Sequence, residues 1–175
     1  QAVSAYAIEE TGRRWNNVIA IDVLHHLQTP ARFLTNAARN LEPGGRIILA
    51  EPAASPWARL VFGLFHQEPI KPGRLEPPFI FEADSKTGEF ANMAMGTALF
   101  ERHKDFTLRT LAEAQMYVAE VACRDVAAYL FTGGFSKPAL LPADFIRFGM
   151  VLERQLPDAL KKYLALRLLI VLEKG

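Results

Sequence analysis

The sequence has little of what cross-links, metal clusters or membrane anchors require. Cys123 is its one cysteine, which excludes an internal disulfide and any site with several cysteine ligands and favours a reducing compartment, so we expect a cytoplasmic location. No apolar run reaches the roughly 18 residues that span a bilayer. The 20 basic residues are balanced by 19 acidic ones, and a net charge of +1 provides no field to attract nucleic acid. We therefore expect neither a nucleic-acid partner nor a transmembrane segment.

Length and composition are typical of one globular domain. The chain has 175 residues, of which 50% are hydrophobic and 22% are charged. That length supports one core of ordinary size and is short for two cores that fold separately. We therefore expect a single domain over residues 1–175.

A strand, a helix and a second strand are predicted in close succession near the N-terminal end. Residues 18–24 form a short β-branched run, interrupted only by Asp22, that is typical of a strand buried on both faces. Thr29 and Pro30 then begin a helical pattern that ends before the glycine pair at 44–45, and residues 46–51 form a second apolar run. This pattern predicts two parallel neighbouring strands. Ligands in such sheets bind beyond the carboxyl ends of the strands, here at residues 22–26 and 51–55.

The rest of the chain predicts further helices and a closing pair of strands. Residues 66–87 are rich in proline and predict a loop or lid over the site. The helix predicted to end near residue 155 should turn Phe145, Phe148, Val151 and Leu152 inward. The other predicted elements are helices over 56–65 and from 88 or 89 to 102, a strand over 116–123, a short helix or continued strand over 126–131, a short helix after residue 157, and a strand over 164–173.

Two motifs within residues 17–52 resemble a known family. Leu-His-His-Leu at 24–27 follows the first predicted strand, and Arg-Asn-Leu-Glu-Pro-Gly-Gly at 39–45 precedes the second. At this separation they resemble the second half of class I S-adenosylmethionine-dependent methyltransferases. The resemblance implies an α/β, Rossmann-like sheet with a closing strand pair and extra helices. It also implies methyl transfer from S-adenosylmethionine to a small-molecule acceptor, with S-adenosylhomocysteine as product.

The glycine-rich loop of that family is missing from the sequence. In such folds a Gly-x-Gly turn after the first strand lets the backbone approach the cofactor, and none of the eleven glycines has this spacing. The chain therefore resembles a methyltransferase domain without its first strands. An exposed strand edge would follow, which predicts a homo-oligomer or an unseen N-terminal segment that covers it. Two other functions stay open: a non-catalytic α/β binding or scaffold module and, less favoured, a nicotinamide oxidoreductase.

The resemblance assigns three residues to the cofactor. It places Asp22 and Val23 near the methionine end, where a carboxylate or a backbone carbonyl could meet the ammonium group, and it places His26 in the adjoining loop. A salt-bridged or helix-capping Asp22 is the alternative. His25 and His26 are adjacent, so in an extended backbone their rings would point to opposite faces and could not chelate one ion. We therefore expect no metal site.

Two residues are candidates for the chemistry itself. His25 could reach the substrate as a general base, since the ordinary pKa of a histidine, about 6.5, suits proton transfer near neutral pH. Glu51 ends the second strand and could bind an amine or a hydroxyl of the acceptor. A hydrogen-bonded structural role is the alternative for each of them.

Overall fold

Four strands form one mixed sheet in the computed structural model, which describes residues 5–8, 12–82, 90–133 and 138–175. The order across the sheet is β1-β2-β4-β3. The strands are β1 (Trp15–Ile21), β2 (Leu41–Pro52), β3 (Met116–Arg124) and β4 (Arg167–Lys174).

The strand-helix-strand unit predicted from the sequence is confirmed. β1 pairs with β2 in parallel, from Asn17 opposite Arg46 to Ile21 opposite Ala50. Helix α1 (Pro30–Arg39) connects them, begins with Pro30 and buries Phe33 and Leu34. Both strands therefore end at the same edge of the sheet, as the site prediction requires.

The glycine pair lies within an irregular start of β2 and not between two elements. Gly44 has a φ of +72°, a conformation that only glycine adopts without strain. A Cβ on Gly45 would lie 2.8 Å from the carbonyl oxygen of Glu42 and 3.0 Å from that of Asn16. The chain can thus bend here and still pair with β1.

The closing strand pair is also confirmed. β4 lies between β2 and β3 and is antiparallel to both. It begins at Arg167 and not at residue 164, because helix α7 (Asp158–Leu164) occupies the preceding residues.

The helices agree with the sequence pattern in part. Helix α2 (Pro56–Phe65) has the predicted bounds. After the proline-rich segment, the described helix begins with α3 (Met95–Thr97) and continues as a π-helical turn (Ala98–Arg102). Helix α4 (Lys104–Glu113) follows, and the sequence pattern did not predict it. The predicted start at residue 88 or 89 lies outside the described residues. The remaining helices are α5 (Ala128–Phe131) and α6 (Ala143–Arg154).

The two faces of the sheet are covered unequally. Leu49 and Ile170 are fully buried on the face that carries α1 and α4, whereas Ile19 and Ile21 on the other face of β1 are 65% and 49% exposed. The expectation that this strand is buried on both faces was therefore wrong. No described helix packs on this part of the sheet, and β1 has no strand partner on its outer edge among the described residues.

Helix α6 presents its aromatic residues to solvent, contrary to the prediction. Phe145 and Phe148 are 67% and 63% exposed, and Val151 and Leu152 are exposed as well. The helix packs on α5, and Glu153 accepts hydrogen bonds from the backbone at the start of α5. This contact fixes the rotation of α6, so that its Ile146 side faces inward.

The described part of the segment predicted as a loop or lid, residues 66–82, is largely irregular but well packed. It contains one 3₁₀ turn (Pro72–Arg74). Its apolar side chains Ile70, Leu75, Phe79 and Phe81 are buried in the core. Residues 83–87 lie outside the described part, and the lid role stays a prediction.

Within the described ranges, no helix combines the length and apolarity needed to cross a bilayer.

Candidate active site

The ends of β1 and β2 bring the predicted site residues together. The N–H of Asp22 donates to the carbonyl of Ala50 at 2.9 Å, and Asp22 has a φ of 53°, which turns the chain away from the strand direction. Residues Leu24–His26 then form a 3₁₀ turn, closed by the N–H of His26 on the carbonyl of Val23. The loop after β1 therefore curls over the end of β2.

Glu51 is the centre of this arrangement. Its side chain is fully buried, and its Oε1 accepts hydrogen bonds from the N–H groups of Val23 at 3.0 Å and Leu24 at 2.8 Å. Its Oε2 lies 2.6 Å from Nδ1 of His25. Gly96 leaves the space for it, because a Cβ there would lie 3.1 Å from the Cβ of Glu51. One carboxylate thus fixes both the turn and the imidazole ring.

The contact with Glu51 determines which nitrogen of His25 is available for chemistry. An ionised carboxylate only accepts hydrogen bonds, so Nδ1 is the donor in this pair. In neutral His25 the other nitrogen, Nε2, then carries a lone pair. It lies 3.6 Å from Oε2 of Glu68, a residue of the proline-rich segment.

His26 lies beside His25 and not opposite it. The two ring centroids are 4.2 Å apart, and Nε2 of His26 lies 3.7 Å from Oε1 of Glu68. The expectation that the rings diverge was wrong, because the residues form a 3₁₀ turn and not an extended backbone. One nitrogen from each ring and one oxygen of Glu68 lie within 4.8 Å of one another, which is close enough to share a metal ion.

Asp22 is held by a residue from the far end of the chain. Nη1 of Arg167, the first residue of β4, lies 2.8 Å from Oδ2 and 2.7 Å from Oδ1, and Nη2 donates to the carbonyl of Ala50 at 3.1 Å. Oδ2 accepts a hydrogen bond from Nη1, and the buried Oδ1 has the same nitrogen as its ion-pair contact. The ion-paired Asp22 that was left open as an alternative is thus present, and its cofactor role stays a prediction.

A cavity of about 720 Å³ lies beside this ion pair, between the strand ends and helices α5 to α7. Its volume is in the range of small-molecule sites. Arg167, Asp125 and Tyr129 line it with apolar residues of the sheet such as Ile21. Burial raises the pKa of the Asp125 carboxyl and of the Tyr129 hydroxyl above their usual values. The cavity therefore offers an apolar wall and a few polar groups.

Sequence reasoning missed four residues of this region. Arg167 interrupts an apolar strand, as Asp22 does, and this charged interruption was the available signal. Glu68 stood out only by its place near His66 in a predicted loop. Asp125 and Tyr129 carry no signal in the sequence, because only the fold places them on the cavity.

Two parallel strands joined by a helix, within a mixed sheet, have the geometry of a Rossmann-like α/β domain. Residues 3–114 match the family model described as "Methyltransferase domain". This match covers more than half of the chain, so the chain belongs to that methyltransferase family. The predicted fold class and family are confirmed, and the match gives no support to a non-catalytic module.

The chain is similar in fold to solved methyltransferase structures, one of them with a TM-score above 0.5. A SAM-dependent methyltransferase from Archaeoglobus fulgidus aligns with a TM-score of 0.51 at 10% identity, over 99% of this chain and 66% of that protein. The plantazolicin methyltransferase BpumL, in complex with SAH, aligns with a TM-score of 0.47 at 10% identity, over 99% of this chain and 56% of that protein. The chain thus spans less than two thirds of the length of these structures. No curated protein has a significantly similar sequence.

Proposed function

We propose that this domain binds S-adenosylmethionine and transfers its methyl group to a small-molecule acceptor. The observation that carries the proposal is the position of residues 22–26 and 51. They lie within the range that matches the methyltransferase family and at the sheet edge where ligands of such folds bind.

The residues after β1 fit the methionine end of the cofactor. The Asp22 carboxylate, which is ion-paired with Arg167, would meet an ammonium group, and Arg167 beside it suits a carboxylate. Val23 and His26 form the adjoining turn and complete the proposed cofactor contacts. When bound, the cofactor supplies a methyl group that its sulfonium already activates. The protein then contributes mainly position and orientation, which can be worth up to about 7–11 kcal/mol in reactions of this kind.

His25 is the proposed base for an acceptor that must lose a proton. Its Nε2 carries the lone pair, and Glu51 holds the ring through Nδ1. Glu51 is fully buried and its described contacts are with the turn and with His25. In this proposal it therefore acts through His25, as a positioning residue, and does not touch the acceptor.

The cavity beside Arg167 is the proposed site for ligand groups next to the methionine end of the cofactor. It is large enough for a small molecule, and it combines apolar sheet residues with Asp125 and Tyr129. His25 does not line this cavity, so an acceptor that uses His25 as base would approach from the side of Glu68.

Calorimetric titration of the protein with S-adenosylmethionine tests the cofactor assignment. We expect saturable binding that Asp22→Asn weakens at least about tenfold, or about 1.4 kcal/mol. Asparagine has the same shape and tolerates the positive φ of Asp22. Asp144→Asn is the control, since that carboxylate is exposed on α6 far along the chain. Equal binding by both variants would refute the role of Asp22, and absence of binding by the unchanged protein would refute the cofactor proposal.

A further inference from the structure

We propose that His25, His26 and Glu68 bind a divalent transition-metal ion such as Zn²⁺. The proposal goes beyond methyl transfer and does not depend on it. Among the described residues, these three have ligand atoms within 4.8 Å of one another. Two imidazoles and a carboxylate form a donor set that is common in catalytic zinc sites.

The distances between ligand atoms fit a metal better than hydrogen bonds. Oxygens of Glu68 lie 3.6 Å from Nε2 of His25 and 3.7 Å from Nε2 of His26, beyond ordinary hydrogen-bond length. Ligands about 2.1 Å from a tetrahedral zinc are about 3.4 Å apart. Both separations are close to that value, the first to Oε2 and the second to Oε1 of Glu68, so the carboxylate would face the ion with both oxygens or turn slightly to offer one of them. The third pair, one nitrogen from each ring, lies within 4.8 Å, and a rotation of the half-exposed ring of His26 would bring it to the same spacing.

The surroundings of His25 match those of metal-bound histidines. Such a histidine usually donates its other N–H to a carboxylate, which fixes the ring and makes the ligand nitrogen more basic. Glu51 provides this contact at 2.6 Å from Nδ1. With Glu68 as ligand, the two carboxylates would balance the charge of a divalent ion. The three proposed ligands and the contact of Glu51 with His25 therefore both support a metal site.

An ion can reach these residues from solvent. Glu68 lines an open groove of about 680 Å³ between α2 and residues 66–71, and 28% of its side chain is exposed. Three protein ligands leave a fourth position of a tetrahedral ion for water or for another ligand. The nearly buried His25 closes the inner side of the site.

Metal binding and general-base catalysis would use the same lone pair, Nε2 of His25. The two roles therefore exclude each other at any moment. If His25 is the base in methyl transfer, bound zinc inhibits the reaction. The presence of the metal site can be measured without cofactor or acceptor, so its failure would leave the proposed function untouched.

Titration of the metal-free protein with Co²⁺ tests the site, with Zn²⁺ as competitor. We expect the visible absorption of tetrahedral Co²⁺, its loss on addition of Zn²⁺, and a higher melting temperature with Zn²⁺. His26→Ala and Glu68→Gln should each weaken binding at least about tenfold. His66→Ala is the matched control, because His66 and His26 are 46% and 45% exposed and both lie near Glu68, but only His26 is an assigned ligand.

The control should change the affinity by less than about threefold. Circular dichroism will verify that each variant is folded. Absence of the tetrahedral spectrum would overturn the proposal, and so would equal weakening by His66→Ala and His26→Ala.

Discussion

Replacing Glu51 by alanine should be severely destabilising, because its carboxylate is the partner of three polar groups, two of them in buried contacts. The substitution removes the acceptor for the N–H groups of Val23 and Leu24 and the partner of Nδ1 of His25. A buried polar group without a partner costs about 1–3 kcal/mol. The N–H of Leu24 is buried. The N–H of Val23 is only partly buried, so leaving it without an acceptor should cost an amount at the low end of this range. The lost contact of His25 and the cavity left by the side chain add to this cost. We expect the free energy of unfolding to fall by about 3–5 kcal/mol in total, which is comparable to the whole stability of many domains.

Glu51→Gln should cost much less, about 1–2 kcal/mol, since the amide oxygen still accepts from the turn and His25 can change its tautomer. Urea unfolding followed by the fluorescence of Trp15 and Trp57 would measure both variants. Glu120→Ala is the surface control, because its ion pair with Arg124 is exposed and should contribute less than about 0.5 kcal/mol. A Glu51→Ala protein within about 1 kcal/mol of the unchanged chain would refute the argument that this carboxylate holds the turn.

Three further substitutions test separate parts of the fold. Gly96→Ala places a methyl group 3.1 Å from the Cβ of Glu51. Overpacking should cost about 1–3 kcal/mol, which exceeds the gain of about 1 kcal/mol in helix propensity. Thermal unfolding should therefore show a lower melting temperature. Burial raises the pKa of the Asp125 carboxyl, so charging this group destabilises the folded state. Asp125→Asn removes the carboxyl and should become more stable relative to the parent as the pH rises above about 4. A stability difference that stays constant across pH would contradict this. Ile19→Lys on the uncovered face of β1 should lower any self-association of the protein in sedimentation, whereas an unchanged sedimentation coefficient of an oligomer would place the interface elsewhere.

The parts of the fold that sequence predicts are those with local signals. The β1-α1-β2 unit follows from apolar runs, Pro30 and a glycine pair, and all of these lie within about forty residues. Helix α4 was missed because its apolar stripe is weak: it buries Thr107 and Leu111 and exposes charged residues on most of its surface. The inward face of α6 was predicted wrongly because its apolar pattern is two-sided, and only the contact with α5 selects one side.

The site was predictable in its residues but not in its geometry. Asp22, His25 and Glu51 stand at strand ends in the sequence, where ligands of α/β sheets bind. Their partners come from far away: Arg167 is 145 residues from Asp22, and Glu68 belongs to the proline-rich segment. The side-by-side rings of His25 and His26 depend on a 3₁₀ turn that Glu51 fixes from the next strand. Neither the turn nor these contacts leaves a periodic pattern in the sequence.

The side chains that are proposed to bind ligands or to position His25 also join the strands. Glu51 ties the loop after β1 to β2, and the Asp22–Arg167 pair ties that loop to β4. A truncating substitution at any of them would therefore lower stability and ligand binding together. Substitutions of equal shape, such as Asp22→Asn and Glu51→Gln, keep more of the hydrogen bonds and change the charge. Weaker cofactor binding by Asp22→Asn, or a lower methyl-transfer rate of Glu51→Gln, measured where each variant is fully folded, is the observation that would assign the charge itself to function.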